Sequence, residues 1–305
     1  MIDPAIAPAA PRARIIVPFV IVTLIWGSTW LVIKDQIGSV PPTWSITYRF
    51  ALAAAGMFLL AMARREPLRL SRQGMLLAAL VGFTQFFANF QFVYGAEQYL
   101  TSGVVAILYA LLMVPNALLA RIFLGEPVSR RFLAGSAVAL GGIALLLLHE
   151  YRIAPPAVEI GLGIALAFTG LFCASASNVL QANQVGRSQP LVPLLAWAMV
   201  WGTLGDLAFS IATAGPPQFD PRWEYIAGIV YLALFGSVIT FPLYFGLIRA
   251  MGAGRAAYTG VAVPVVAMAL STAFEGYRWT GLAIAGAGLA IGGLLLALSA
   301  RKQAA

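Results

Sequence analysis

Charge and cysteine are what this chain has least of. Asp, Glu, Lys and Arg make up 10% of its 305 residues, against about 25% in a soluble domain. So few charges cannot cover a water-exposed surface. The single cysteine, Cys173, and the single histidine, His149, exclude a disulfide framework and leave no Cys/His set for a metal. No GxxxxGK run is present to cradle a nucleotide phosphate, and no nucleophile–base–acid set stands out on the connecting segments. No cofactor is therefore expected. What the chain does have is apolar side chains, 61% of the total, too many for disorder, and no Gly-X-Y period. An integral membrane protein remains.

A bilayer core about 30 Å thick takes roughly 20 mostly apolar residues per helix. Runs of that kind between charged or Pro/Gly breaks number ten. They cover 15–33, 42–63, 74–94, 101–121 and 128–149 in the first half, then 158–182, 190–214, 224–248, 252–274 and 279–299. The formal charge of +8 would raise nucleic acid as a partner of a soluble protein, but its distribution reads as topology. Fourteen Lys and Arg lie at the termini and in the even-numbered connections, among them Arg69, Arg130 and Arg187. Four, Lys34, Arg152, Arg222 and Arg278, lie in the odd ones. By the positive-inside rule both termini are cytoplasmic, which requires an even number of spans. The Ala/Pro-rich start has no signal-peptide layout, and 15–33 is too long for the core of one, so it counts as a retained helix. The expected organisation is a tail (1–14), a five-helix unit (15–149), a second (158–299) and a tail (300–305).

The two units are copies. At an offset of 149 residues Gly103, Tyr109, Pro115 and Glu126 fall on Gly252, Tyr258, Pro264 and Glu275. The next helix carries Gly135 and Gly141-Gly142 in one copy and Gly286 and Gly292-Gly293 in the other, at one spacing. Because five is odd, the second copy enters the membrane from the opposite side. The expected fold is all-α, ten transmembrane helices arranged as two inverted five-helix repeats. In transporters of that design the binding site lies at the repeat interface near the midplane.

Trp26-Gly27-Ser28-Thr29-Trp30 followed by Lys34, then Tyr48-Arg49-Phe50 and Leu124-Gly125-Glu126-Pro127, resemble the pattern of the drug/metabolite transporter superfamily, EamA branch. The resemblance covers nearly the whole chain. It implies a ten-helix exporter of small metabolites in a bacterial inner membrane, most like the aromatic amino acid exporters of the branch. The second copy departs from the pattern, with Phe274-Glu275-Gly276 for Gly-Glu-Pro and Phe172-Cys173-Ala174-Ser175 where span one has Trp-Gly-Ser-Thr.

An ionisable side chain inside a span costs at least about 2.5–3.5 kcal/mol and is a functional candidate by default. Two lie clearly inside, Arg49 in span two and Asp206 in span seven. Their matched depths predict an ion pair, which either locks the helices together or leaves Arg49 facing substrate. Such a pair would hold Asp206 ionised, so facilitated diffusion rather than proton coupling is expected. Gln85 and Asn89, four apart, share a face of span three at mid-membrane; they either line a cavity or serve packing. Trp26, Ser28, Ser175, Asn178, Trp201 and Ser237 are further midplane candidates, with Tyr109 and Tyr258 placed symmetrically. Pro115 and Pro264 predict a matched pair of kinks or hinges. Gly288-x-x-x-Gly292 predicts close helix contact within the chain, with dimerisation a lesser alternative to a monomer. The expected function is a secondary carrier that exports small amphipathic metabolites, amino acids first among them, by alternating access. The alternative is a membrane-embedded enzyme acting on lipid-linked intermediates, which the scarcity of acids and bases disfavours.

Overall fold

The computed structural model describes residues 13–38, 40–125, 127–153, 157–251 and 259–299. Each of the ten expected spans holds helix. The first five are Ala13–Gln36, Pro42–Ala63, Arg72–Glu97, Ser102–Leu124 and Arg130–Ile153. The second five are Ala157–Ala182, Leu191–Ala214, Trp223–Leu247, Thr259–Phe274 and Gly281–Ser299. Among the described residues, seven helices are long and apolar enough to cross a bilayer, and Ala262–Phe274 and Gly281–Ala297 add two shorter apolar stretches. The tails up to Arg12 and from Ala300, and the repeat partners Glu126, Gly252 and Tyr258, lie outside the described residues.

Helix ends follow local chemistry. Pro42 opens span two at a position where its missing N–H has no intrahelical acceptor to lose. Ser71 and Ser129 accept from the backbone N–H of Gly74 and Phe132 and so cap spans three and five. Gly125 ends span four at φ +71°, a left-handed turn that glycine adopts without strain. Lys34 donates to the carbonyls of Glu97 and Leu100. A cation thus satisfies acceptors that the end of span three would leave open.

Packing obeys a two-fold relation between the repeats. Span one packs on spans eight and nine, and its counterpart, span six, packs on spans three and four. Span two meets span eight as span seven meets span three, while two–seven, four–nine and five–ten are paired directly. The pairs are antiparallel. Thr47 meets Ser210 at 3.1 Å and, farther along the same two helices, Phe58 meets Trp197 at 5.3 Å between rings. In the five–ten pair Gly135 faces Gly293 and Ala297, and Gly142 faces Gly286 and Ala290. Those four glycines, and not Gly288 and Gly292, let the backbones approach. Gly288 and Gly292 point outward with open space beside them, because the contact stripe lies on the other side of span ten.

Leu59, Leu76, Phe83, Ile122, Phe123 and Ile284 each turn more than half of their surface outward. Hydrocarbon solvates such a belt and water does not. Threonines on the spans, such as Thr169, Thr203 and Thr213, donate to the carbonyl four residues back, which leaves no bare hydroxyl to the lipid.

Three irregularities interrupt the helices. In span four, regular helix stops at Ala110 and resumes at Met113. Pro115 has no N–H for the Leu111 carbonyl, which Val114 takes instead at 2.7 Å. Span nine also contains Pro264, yet it runs continuously from Thr259 to Phe274. The interruption of regular helix at Pro115 therefore has no counterpart at Pro264 among the described residues. Spans three and eight instead carry a matched pair of π-helical segments, Gly82–Ala88 and Leu234–Ile239. Such segments shift the register of a helix face and recur at functional sites.

Candidate functional site

The repeat interface forms a partly open cavity of about 160 Å³, near the roughly 150 Å³ of an engineered void that takes up benzene. Its walls come from seven spans. Span one contributes Trp26, Thr29 and Trp30, span two Arg49, and span three Gln85, Asn89 and Phe90. Span four contributes Tyr109, Met113 and Asn116, and span six contributes Asn178. Span eight adds Phe241 and Tyr244, and span nine adds Thr259 and Pro264. The spans one/six, three/eight and four/nine are repeat counterparts, so the cavity sits on the two-fold relation itself.

Aromatic rings hold one another in place along this wall. Trp26 lies 4.9 Å from Tyr244 and 5.5 Å from Phe241, and Trp30 lies 5.2 Å from Tyr109. The π segment of span eight helps to fix them, because its irregular turn frees carbonyls. Gly236 O accepts from Trp26 Nε1 at 3.3 Å and from Thr240 at 2.7 Å, and Leu232 O accepts from Ser237 at 2.9 Å.

The amides have unequal roles. Asn89 Oδ1 accepts from the Tyr109 hydroxyl at 2.8 Å, and Asn178 donates to Asn116 Oδ1 at 3.3 Å. The Tyr109 oxygen fits only because Gly170 of span six has no Cβ. Gln85 lines the cavity and has no hydrogen-bond partner among the described residues.

Arg49 is 2% exposed. Its guanidinium carbon stands 4.5 Å from the Phe90 ring centroid and 5.1 Å from that of Phe50. Nη2 donates to Ser237 Oγ at 3.4 Å and the Tyr94 hydroxyl lies beside the guanidinium, while Nε and Nη1 have no partner in hydrogen-bond geometry. The expected ion pair with Asp206 is absent. Among the described residues the one ion pair within 4 Å is Arg222–Asp220, in an exposed loop. Asp206 is fully buried, receives Gln91 Nε2 at 2.8 Å and keeps Oδ2 unpartnered. An amide on the neighbouring span three reaches the carboxylate, and the rings of Phe50 and Phe90 take the guanidinium. The expectation of facilitated diffusion loses its premise with that pair. Nor is Asp206 the sole acid within a span: Glu97, at the end of span three, is fully buried with both carboxylate oxygens unpartnered. The helix runs three residues past the apolar stretch that ends at Tyr94 and so carries Glu97 within the span.

Of the sequence candidates, Trp26, Arg49, Gln85, Asn89, Tyr109, Asn178 and Pro264 lie on the cavity wall. Ser28 does not: it donates to Ile25 O and meets Tyr231 Oη at 2.6 Å. Ser175 is fully buried outside the cavity lining, and Ser237 stands behind the wall as the Arg49 acceptor. Trp201 is 42% exposed on the outer surface, with its N–H on Met75 Sδ. Asp206 and Pro115 are buried but do not line the cavity. Tyr258 lies outside the described residues. Sequence reasoning missed Trp30, Phe90, Asn116, Phe241 and Tyr244. Asn116 carried a usable signal, an amide inside a span, by the criterion that selected Gln85 and Asn89. The rings carried none, because nothing in an aromatic-rich helix marks which rings face inward.

The chain is 26% identical over 288 residues to the probable amino-acid metabolite efflux pump of Salmonella typhimurium, covering 90% of this chain and 92% of that one. It is 30% identical over 262 residues to the uncharacterized inner membrane transporter YedA of Escherichia coli (83% and 80% covered). It is 24% identical over 270 residues to protein PagO of Salmonella typhimurium (87% and 86% covered). One solved crystal structure shares its fold with a TM-score of 0.71 at 19% identity, covering 97% of this chain and 100% of its own. The pattern described as the EamA-like transporter family matches twice, over residues 14–148 and 161–299. This multi-pass membrane protein, a transporter of small molecules by kinship, belongs to the EamA-like transporter family.

Proposed function

We propose that the protein exports small amphipathic metabolites, with amino acids and their close relatives the first class to test, from the cytoplasm by alternating access. The observation that carries this reading is the aromatic and amide-lined cavity at the interface of two inverted repeats. Rocking one repeat against the other would expose the same walls to each side in turn. The name of the Salmonella relative, "probable amino-acid metabolite efflux pump", supports both the substrate class and the direction. The test is counterflow in proteoliposomes loaded with a panel of labelled amino acids and related acids and amines. Saturable exchange of at least one of them is expected, and failure to exchange any of them would refute transport through this cavity.

The fourteen-to-four basic asymmetry supports a bacterial inner-membrane orientation with both termini cytoplasmic. In a Cys173→Ala background, single cysteines at Arg69, Arg130 and Arg187 should resist an impermeant thiol reagent in intact cells and react after permeabilisation. Labelling in intact cells would reverse the orientation.

The break in span four supplies a hinge next to Tyr109, Met113 and Asn116 of the wall. Pro115→Ala restores an N–H that can donate to Leu111 O and make the span continuous. Turnover should fall several-fold while ligand affinity, read by tryptophan fluorescence, stays within about twofold. Unchanged turnover would remove span four from the moving parts.

A further inference from the structure

We propose that the cavity selects organic anions: a carboxylate on a ring-sized apolar body, with no ammonium required. The inference rests on the cavity being the transport site and goes further by assigning the charge its contents carry.

Three polar atoms on the described wall residues are buried without a partner: Arg49 Nε, Arg49 Nη1 and Trp30 Nε1. All three are donors. Native proteins rarely leave buried polar groups unpaired, and a set of one kind asks for a ligand of the complementary kind. A guanidinium is a permanent cation, and its free Nε and Nη1 N–H groups, on two different edges of the plane, each ask for an anionic oxygen such as that of a carboxylate. No Asp, Glu or Lys stands among the described lining residues, so Arg49 is the wall's one formal charge there.

The buried acids act on it through space but do not occupy its free donors. Asp206 is held by Gln91, and neither Asp206 nor Glu97 comes within 4 Å of the guanidinium. An ammonium group would find only neutral acceptors on the described wall, chiefly Gln85 Oε1 and Asn178 Oδ1. It would also share the cavity with a guanidinium that no carboxylate contacts within 4 Å. The rings of Trp26, Trp30, Phe90, Phe241 and Tyr244 supply apolar faces for the body, which excludes a small, fully hydrated inorganic anion as the intended occupant.

Three solutes of nearly one shape separate the possibilities: 3-phenylpropionate (anion), phenylalanine (zwitterion) and phenethylamine (cation). In the purified full-length protein, quenching of tryptophan fluorescence and counterflow should both rank them in that order. The anion should bind at least about tenfold more tightly than the cation, the scale of a buried charge-assisted hydrogen bond. Arg49→Met should erase that difference, and Arg49→Lys should retain part of it because it keeps the charge without the fork. The ligand series on the unmodified protein decides the matter even if Arg49→Met does not fold. Equal or tighter binding of phenethylamine, tighter binding of phenylalanine than of phenylpropionate, or binding of none of the three would overturn the assignment. Should phenethylamine or phenylalanine be exchanged more readily than phenylpropionate, transport stands and the anion assignment falls. Should no solute of the wider panel be exchanged, transport through this cavity falls, whatever the order of binding.

Discussion

Gly142→Val should leave little folded protein, and Gly135→Val should act likewise. At Gly142 an added Cβ would come within 3 Å of backbone atoms of Gly286, Leu289 and Ala290. At Gly135 it would meet the backbone of Gly293 and Ala297 at similar range. Backbone cannot rotate away as a side chain can, so spans five and ten would have to separate along their whole contact. Overpacking a close contact costs about 1–3 kcal/mol and sometimes more, and here it acts on a seam where most other contacts depend on the same separation. By the two-fold relation, Gly286→Val and Gly293→Val should do equal damage from the other side. Gly141→Val, Gly288→Val and Gly292→Val introduce the same side chain into open space and should stay within about 0.5 kcal/mol of the parent. Melting temperature and monodisperse yield in detergent read all of these. Equal damage from both groups would mean that the seam is not where the helix pairing puts it. A change of oligomeric state from Gly288→Val or Gly292→Val would give the outward stripe a partner.

Architecture was legible in this sequence because lipid makes it so. A span must satisfy its own backbone, so length and apolarity mark each helix almost independently of its neighbours. The 149-residue offset then shows duplication, and the odd helix count gives the inversion. Position within the bundle was much less legible. Gly288-x-x-x-Gly292 and the pair Gly286/Gly293 look alike in sequence, and only rotation about the helix axis decides which pair meets Gly135 and Gly142. Arg49 and Asp206 were matched by depth, but depth leaves the azimuth free: one guanidinium turned to Phe90 and one carboxylate to Gln91. The π segments at Gly82–Ala88 and Leu234–Ile239 leave no mark in composition. Each slips the register of the residues beyond it, so that a face drawn at 3.6 residues per turn is misassigned past the slip. Gln85 and Asn89 escaped that error because both lie at or within one residue of the π segment, where the slip between them is small.

Those two amides should respond differently to the same substitution. Gln85 is on the cavity wall without a partner, so Gln85→Leu removes nothing the resting fold uses. Transport should fall about tenfold or more, in line with loss of a buried polar contact to substrate, with the melting temperature unchanged. Asn89 accepts from Tyr109, whose hydroxyl is wedged against Gly170. Asn89→Leu leaves that hydroxyl buried without its acceptor, so stability should drop by about 1–3 kcal/mol along with transport. Adding Tyr109→Phe to Asn89→Leu removes both halves of the bond, and replacing a buried pair by apolar groups of similar shape is close to neutral. The double variant should therefore regain most of the lost stability while transport stays low. If transport returns with stability, Asn89 serves only to hold Tyr109. If Gln85→Leu melts early or transports normally, the face of span three that carries it is not the one the substrate meets.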